Sequence, residues 1–219
     1  MKNNNDKSAI MVYNMFTRTR MNEQKEVSSL GNENEAELRK HRCCFTGHKP
    51  EHLDGATPYM VKRYLNKAIN QALADGYVTF LTGMSRGADL WAAEMILQKR
   101  FDMKRDDIKL IAVVPFKGCD KEWSEDWKRL YNAVIDEADI VKYMKPAYSS
   151  AVYRMVSEHI VDHSNRIIAY YNQKTGSTEQ TIRYAHNRGL EIALPDTGTT
   201  LWAITNAFQD NCAYVLKKY

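Results

Sequence analysis

Four short stretches place hydroxyls, cations and glycines where a phosphate or a ribose could be held. The first, FTGHKPEH (residues 45–52), offers the Thr46 hydroxyl, the His48 imidazole and the Lys49 ammonium around Gly47, where the backbone can come close to a ligand. The second, LTGMSRGADLW (81–91), brackets Met84, Ser85 and Arg86 with Gly83 and Gly87, and Asp89 follows in the first turn of an expected helix. Ser85 and Arg86 can donate to ligand oxygens. The third, PFKGCDKEW (115–123), presents Pro115, Lys117 and Gly118; its other reading is a loop leading into a helix that packs through Trp123 and Trp127. The fourth, YYNQKTGSTEQT (170–181), runs Gly176, Ser177 and Thr178 straight into a helix pattern, whose free amides and hydroxyls would suit an anion. Tyr148, in KPAYSS, adds a ring that could stack on a base or cover the sheet.

The elements that must position these turns alternate along the chain. RCCFTG, YVTFLTG, IKLIAVVPF, ADIVKYM, NRIIAYY and LEIALP read as strands. Between them lie helix stripes: Met60, Tyr64, Ala68, Ile69 and Leu73; Ala88, Trp91, Ala92, Met95 and Ile96; Trp123, Trp127, Leu130, Tyr131, Val134 and Ile135; Val152, Val156, Ile160 and His163; and TEQTIRYAHNRG with a terminal glycine cap. Strict alternation with short links predicts parallel pairing through right-handed crossovers. The fold class expected is therefore α/β, a Rossmann-like open, mostly parallel sheet with helices on both faces. In such sheets ligands sit at the carboxyl ends of the strands, where strand order reverses, and all four turns fall on that edge. The organisation expected is a flexible polar extension over residues 1–40, the Rossmann-like domain over 41–196, and a C-terminal helix over 197–219, built on Leu201, Ile204, Phe208 and Val215, that packs on the domain or makes an oligomer contact.

Composition narrows the class. A chain of 219 residues, 44% hydrophobic, can bury a substantial core, and a net charge of +4 is well short of a dedicated duplex binder. Cys43, Cys44, Cys119 and Cys212 show no paired metal spacing, and nothing reads as a secretory leader, so free thiols in a reducing cytoplasm are expected. No apolar stretch is long enough to span a bilayer, and no membrane partner is expected. His159 and His163 lie four apart, but without the glutamate of HExxH or an evident third ligand they read as structural, and no metal is expected. Cys43 and Cys44 read as small core residues rather than a redox pair. There is no GxGxxG for NAD, and GMSRG lacks the GK[ST] ending of a P-loop. Basic and aromatic residues interleave only in KRYLNK, which weighs against single-strand binding.

The run CCFTGHKP, GYVTFLTGMSRGADLWAAEMIL, IAVVPF and RIIAYYNQKTGST, over about residues 42–196, resembles the YpsA-like family of the SLOG superfamily, related to Smf/DprA and LOG proteins. The resemblance implies a Rossmann-like fold with a nucleotide-derived, ADP-ribose-like ligand bound over the strand ends by Gly47, His48, Lys49, Gly83, Ser85, Arg86, Asp89, Gly176, Ser177 and Thr178. The second turn is also similar to the SGxARGID stretch of DprA, which implies single-stranded DNA binding as a further alternative. LOG-type enzymes hydrolyse N-glycosidic bonds of nucleotides through the last residue of PGGxGTxxE; aligning Thr178 with the motif's threonine puts Thr181 in the place of that glutamate. Without the carboxylate the hydrolysis loses its acid/base group unless Asp89 or Glu179 substitutes. The function expected is thus binding or sensing of a small nucleotide-derived ligand, with regulatory use, no required cofactor, nucleic acid as a lesser alternative and room for a homo-oligomer.

Overall fold

The computed structural model describes residues 34–53, 55–171 and 176–195, together with the backbone of 216–218. The chain divides into two units, Met1–Leu38 and Arg39–Tyr219. The extension expected over 1–40 lies outside the described residues up to residue 33, and 34–40 are helical rather than loose; Glu35, Ala36, Glu37 and Leu38 are all good helix formers.

The second unit carries β1 (Arg42–Gly47), α1 (Pro58–Ala74), β2 (Thr79–Thr82), α2 (Ala88–Asp102), β3 (Lys109–Phe116), α3 (Glu125–Glu137), β4 (Ile140–Lys145), α4 (Val152–Asp162), β5 (Arg166–Tyr170), α5 (Ser177–Asn187), β6 (Glu191–Leu194) and β7 (Leu216–Lys218). A single 3-10 turn, Pro50–His52, follows β1. The strands form one sheet in the order β4-β3-β2-β1-β5-β6-β7, every neighbouring pair parallel. This is the expected open α/β sheet. The helix expected over 197–219 lies outside the described residues except at its end, where Leu216–Lys218 is a strand beside β6. Pairing with a distant partner, which local periodicity does not record, decides that segment.

Two apolar cores explain why the strands are hydrophobic on both faces. Cys43, Phe45, Phe80, Leu110, Ala112, Val114 and Ile168 pack under α1, α2 and α3, while Cys44, Leu81, Val113, Ile167, Ala169 and Ile192 pack under α4 and α5. Adjacent residues of one strand enter opposite cores, as the strand pleat requires. Cys43 and Cys44 are the clearest case: both are fully buried and free, and burial raises both thiols, Cys44 to about 12. The helix stripes fall where expected, with three exceptions, of which His163 is one, as the residue that follows α4 at its carboxyl end. Met60 is exposed, and Trp123 precedes α3, packing edge-on against Tyr131 with ring centroids 5.6 Å apart. At the amino ends of the strands, buried Arg166 is held by Asp75 at 2.6 Å and Glu191 at 2.9 Å and lies 4.2 Å over the Tyr77 ring.

The first two turns are packed against each other, and that explains their glycines. A Cβ on Gly47 would stand 2.4 Å from the Ala88 Cβ, and one on Gly87, at φ 93°, would stand 2.5 Å from the His48 carbonyl oxygen. Gly47 therefore has a packing role as well as its place after β1: α2 begins directly against the end of that strand. Gly47→Ala is expected to destabilise the protein by about 2 kcal/mol, a fall in Tm of about 4–8 °C by calorimetry.

Candidate functional site

Helices α1 to α3 cover one face and α4 and α5 the other, so the crossover direction reverses between β1 and β5. A cavity of about 560 Å³ opens along the carboxyl ends of the strands beside this reversal. Its lining comes from three sides: Thr46, Gly47 and Lys49 after β1; Gly83, Ser85 and Asp89 after β2; and the facing surfaces of α4 and α5. The first, second and fourth turns thus converge, with Ser177 and Thr178 opposite the strand ends.

Asp89 is the chemically distinctive group. It is 7% exposed, and its Oδ2 accepts a hydrogen bond from the Ser85 amide at 3.4 Å. Burial pushes its carboxyl up to about 7, against hydrogen bonds from the Ser85 amide and hydroxyl that pull the other way. The turn around it is fixed. The Thr82 hydroxyl donates to the Asp89 carbonyl at 3.2 Å and accepts from the Met84 amide at 3.2 Å. Met84 is buried at φ 60°, a left-handed conformation uncommon for a residue with a side chain.

Helix α5 supplies an anion-seeking end. Its N-cap is Gly176, which has no side chain to cap with, and the Gln180 amide bonds back to the Gly176 carbonyl at 3.0 Å. The earlier amides of the turn keep their donors free of helix partners. Thr181 lines the cavity, but its hydroxyl donates to the Ser177 carbonyl at 2.8 Å. Glu179 pairs with Arg183 at 2.7 Å and is absent from the cavity wall.

Six expected ligand residues do not line the cavity: His48, Arg86, Gly87, Pro115, Tyr148 and Gly176. His48 is buried and stacks on Tyr171 with centroids 5.8 Å apart. Arg86 turns away, donating to Glu51 at 2.6 Å and lying 5.8 Å over the Trp123 ring. Pro115 is buried within β3, in a ladder that pairs Val114 with Tyr143 and Phe116 with Lys145 and skips the proline, which has no amide to donate. Tyr148 is 67% exposed and meets Phe116 edge-on at 5.8 Å. Conversely, Ser150, Tyr153, Arg154, Ser157 and Glu158 line the cavity without having been expected. Their spacing of three and four is the signal, a polar stripe beside the apolar one on α4. His159 and His163 hold each other, ring centroids 4.0 Å apart, with the His163 Nδ1 at 2.8 Å from the His159 carbonyl. Among the described residues no three His, Cys, Asp or Glu side chains gather to hold a metal, and no helix is long and apolar enough to cross a membrane.

An all-parallel sheet with both faces covered and a hydroxyl-lined cavity at its order reversal defines a Rossmann-like α/β protein. Comparisons sharpen this. The family model described as the YspA SLOG family (YpsA) matches residues 43–208, and the chain belongs to that family. It is 27% identical over 161 residues to the UPF0398 protein YpsA of Bacillus subtilis, covering 69% of this chain and 87% of that one. Among solved structures it is similar to DNA processing protein A (DprA) of Streptococcus pneumoniae, with a TM-score of 0.56 and 16% identity over 83% of this chain, spanning 59% of that longer chain. The single-stranded-DNA-binding DNA processing protein A of Helicobacter pylori gives a TM-score of 0.52 at 13% identity, covering 80% and 77%. At these identities the two structures speak for the fold.

The buried carboxyl makes stability depend on pH. Between about pH 4 and pH 7 the folded protein keeps the Asp89 proton that the unfolded chain has lost, so stability falls as pH rises through that window. Asp89→Asn is expected to remove the loss, making the variant more stable than the parent at pH 8 by up to roughly 4 kcal/mol, with the gap closing toward pH 4 in urea unfolding.

Proposed function

We propose that this protein binds a small nucleotide-derived ligand of the ADP-ribose type in the switch-point cavity, in a sensing or regulatory role. The observation that carries the reading is the first turn of α5, whose N-cap is a glycine, placing Ser177 and Thr178 on the wall of the same cavity as Lys49. Helix amides and an ammonium suit a phosphate. Hydroxyls from Thr46, Ser85, Ser150 and Ser157 suit a ribose. Thr181, tied back to its own helix, brings no carboxylate to a glycosidic bond, which favours binding over hydrolysis of the LOG type. Two variants test the reading by calorimetric titration with ADP-ribose and ribose 5-phosphate. Lys49→Ala should weaken both about tenfold. Ser177→Asp should hold or raise Tm, because an acid favours a helix start, yet abolish binding by charge repulsion. Unchanged affinity in both variants would refute the site.

A second reading has its own observation. Lys142, Lys145, Tyr148, Tyr153 and Arg154 are all exposed along β4 and the start of α4, a basic and aromatic series that KRYLNK does not exhaust. Such a series fits a single strand of nucleic acid, stacked bases alternating with paired phosphates. Tyr148→Ala with Tyr153→Ala should then weaken binding of a fluorescent oligothymidine at least tenfold, with affinity falling steeply as salt rises. No measurable binding at 50 mM salt would remove this reading.

A further inference from the structure

Residues 83–87, Gly83-Met84-Ser85-Arg86-Gly87, space two glycines around a serine in the order G-x-S-x-G. That spacing marks a nucleophilic serine only where a strand ends, turns sharply and enters a helix. Here β2 ends at Thr82 and α2 begins at Ala88. Close packing requires the second glycine and favours the first: a Cβ on Gly87 would strike the His48 carbonyl, and one on Gly83 would lie 3.0 Å from Asp89 Oδ2. The turn is held from both ends. The Leu90 amide donates to the Ser85 carbonyl at 3.2 Å and the Trp91 amide to the Gly87 carbonyl at 3.0 Å. Ser85 stays partly exposed on the cavity wall, four residues before the buried carboxylate whose Oδ2 accepts its amide at 3.4 Å and which lines the same cavity. A cap interaction alone would not need that carboxylate to be buried in a cavity wall, where its charged form is destabilised.

We propose that Ser85 is a nucleophile with Asp89 as its base, and that the substrate class is a carboxylic ester carried on a phosphorylated molecule. Only the substrate's phosphate, placed at the first turn of α5, rests on the ligand reading above. The Ser85 Oγ–carbon bond forms as its proton passes to the Asp89 carboxylate. The ester carbon–oxygen bond then breaks, and the leaving alkoxide takes that proton from Asp89. Water attacks the acyl-serine, its proton moves to Asp89 and on to the Ser85 oxygen, and the carboxylic acid leaves. The net reaction is ester plus water to acid plus alcohol. An ester suits a two-member site because its leaving group is an alkoxide that one returned proton completes. Asp89 must be ionised to act, so reaction rises with pH through neutrality. The titratable and charged groups around it are Cys44 on β1, and Lys49, Tyr153, Arg154, Glu158 and Tyr184, which line the same cavity.

A fluorophosphonate probe tests the assignment on the full chain. Ser85 Oγ displaces fluoride from phosphorus and leaves a stable adduct, located by peptide mass mapping. The expected result is an adduct on Ser85, absent in Ser85→Ala, formed at least tenfold more slowly in Asp89→Asn and faster at pH 8 than at pH 6. Ribose 5-phosphate should slow labelling at least fivefold. No adduct on Ser85 at pH 8, or labelling indifferent to Asp89→Asn in a variant that melts cooperatively, overturns the nucleophile whether or not ADP-ribose binds. An adduct that forms with no protection by ribose 5-phosphate overturns the phosphorylated substrate and leaves the nucleophile standing.

Discussion

One topological constraint organises this molecule. Strand–helix–strand steps in parallel sheets are right-handed as a rule, so a chain that builds β1 to β4 outward in one direction keeps α1 to α3 on one face, as their shared core shows. To add β5 on the other side of β1 it has to cross over, and α4 and α5 land on the opposite face. No helix can then cover the carboxyl ends of both β1 and β5. The cavity is the space left by that reversal, and its wall is made of whatever the adjoining turns and helix ends carry.

What those turns carry is in tension with stability. Glycines at 47 and 87 let the first turn and the start of α2 sit in contact, which is a packing gain. In the same few residues Met84 is held in a left-handed conformation and Asp89 is buried with its carboxyl driven toward neutrality. Asp89 lines the cavity, while Met84 points into the core between two residues that do line it, and an asparagine in place of Asp89 would relieve one of the two costs. A perturbed carboxyl in a cleft at a strand end, beside a strained residue, is what singles out a candidate site.

Much of this was legible in the residues. Strand runs apolar on both faces, such as Lys109–Phe116, could belong only to a covered parallel sheet, and the pairing of Cys43 and Cys44 with opposite cores follows from the pleat. Three of four candidate turns converge because the fold class puts every strand-to-helix turn on one edge. What stayed hidden depended on direction in space. Nothing local says that Arg86 swings to Glu51 and Trp123, that Pro115 stays inside its strand, or that the polar stripe of α4 faces the cavity. The rise of the Asp89 carboxyl was equally unreadable, since burial is a property of the assembled wall. The strand at Leu216–Lys218 depends on a partner some two dozen residues away.

The central claim is that the order-reversal cavity, with the start of α5 as its anion end, is where this protein meets its ligand. Amide chemical-shift mapping during titration with ADP-ribose tests it most directly. The account predicts saturable shifts concentrated at Thr46–Lys49, Gly83–Asp89 and Ser177–Gln180. Shifts confined to the β4 edge, or none at millimolar ligand, would contradict it.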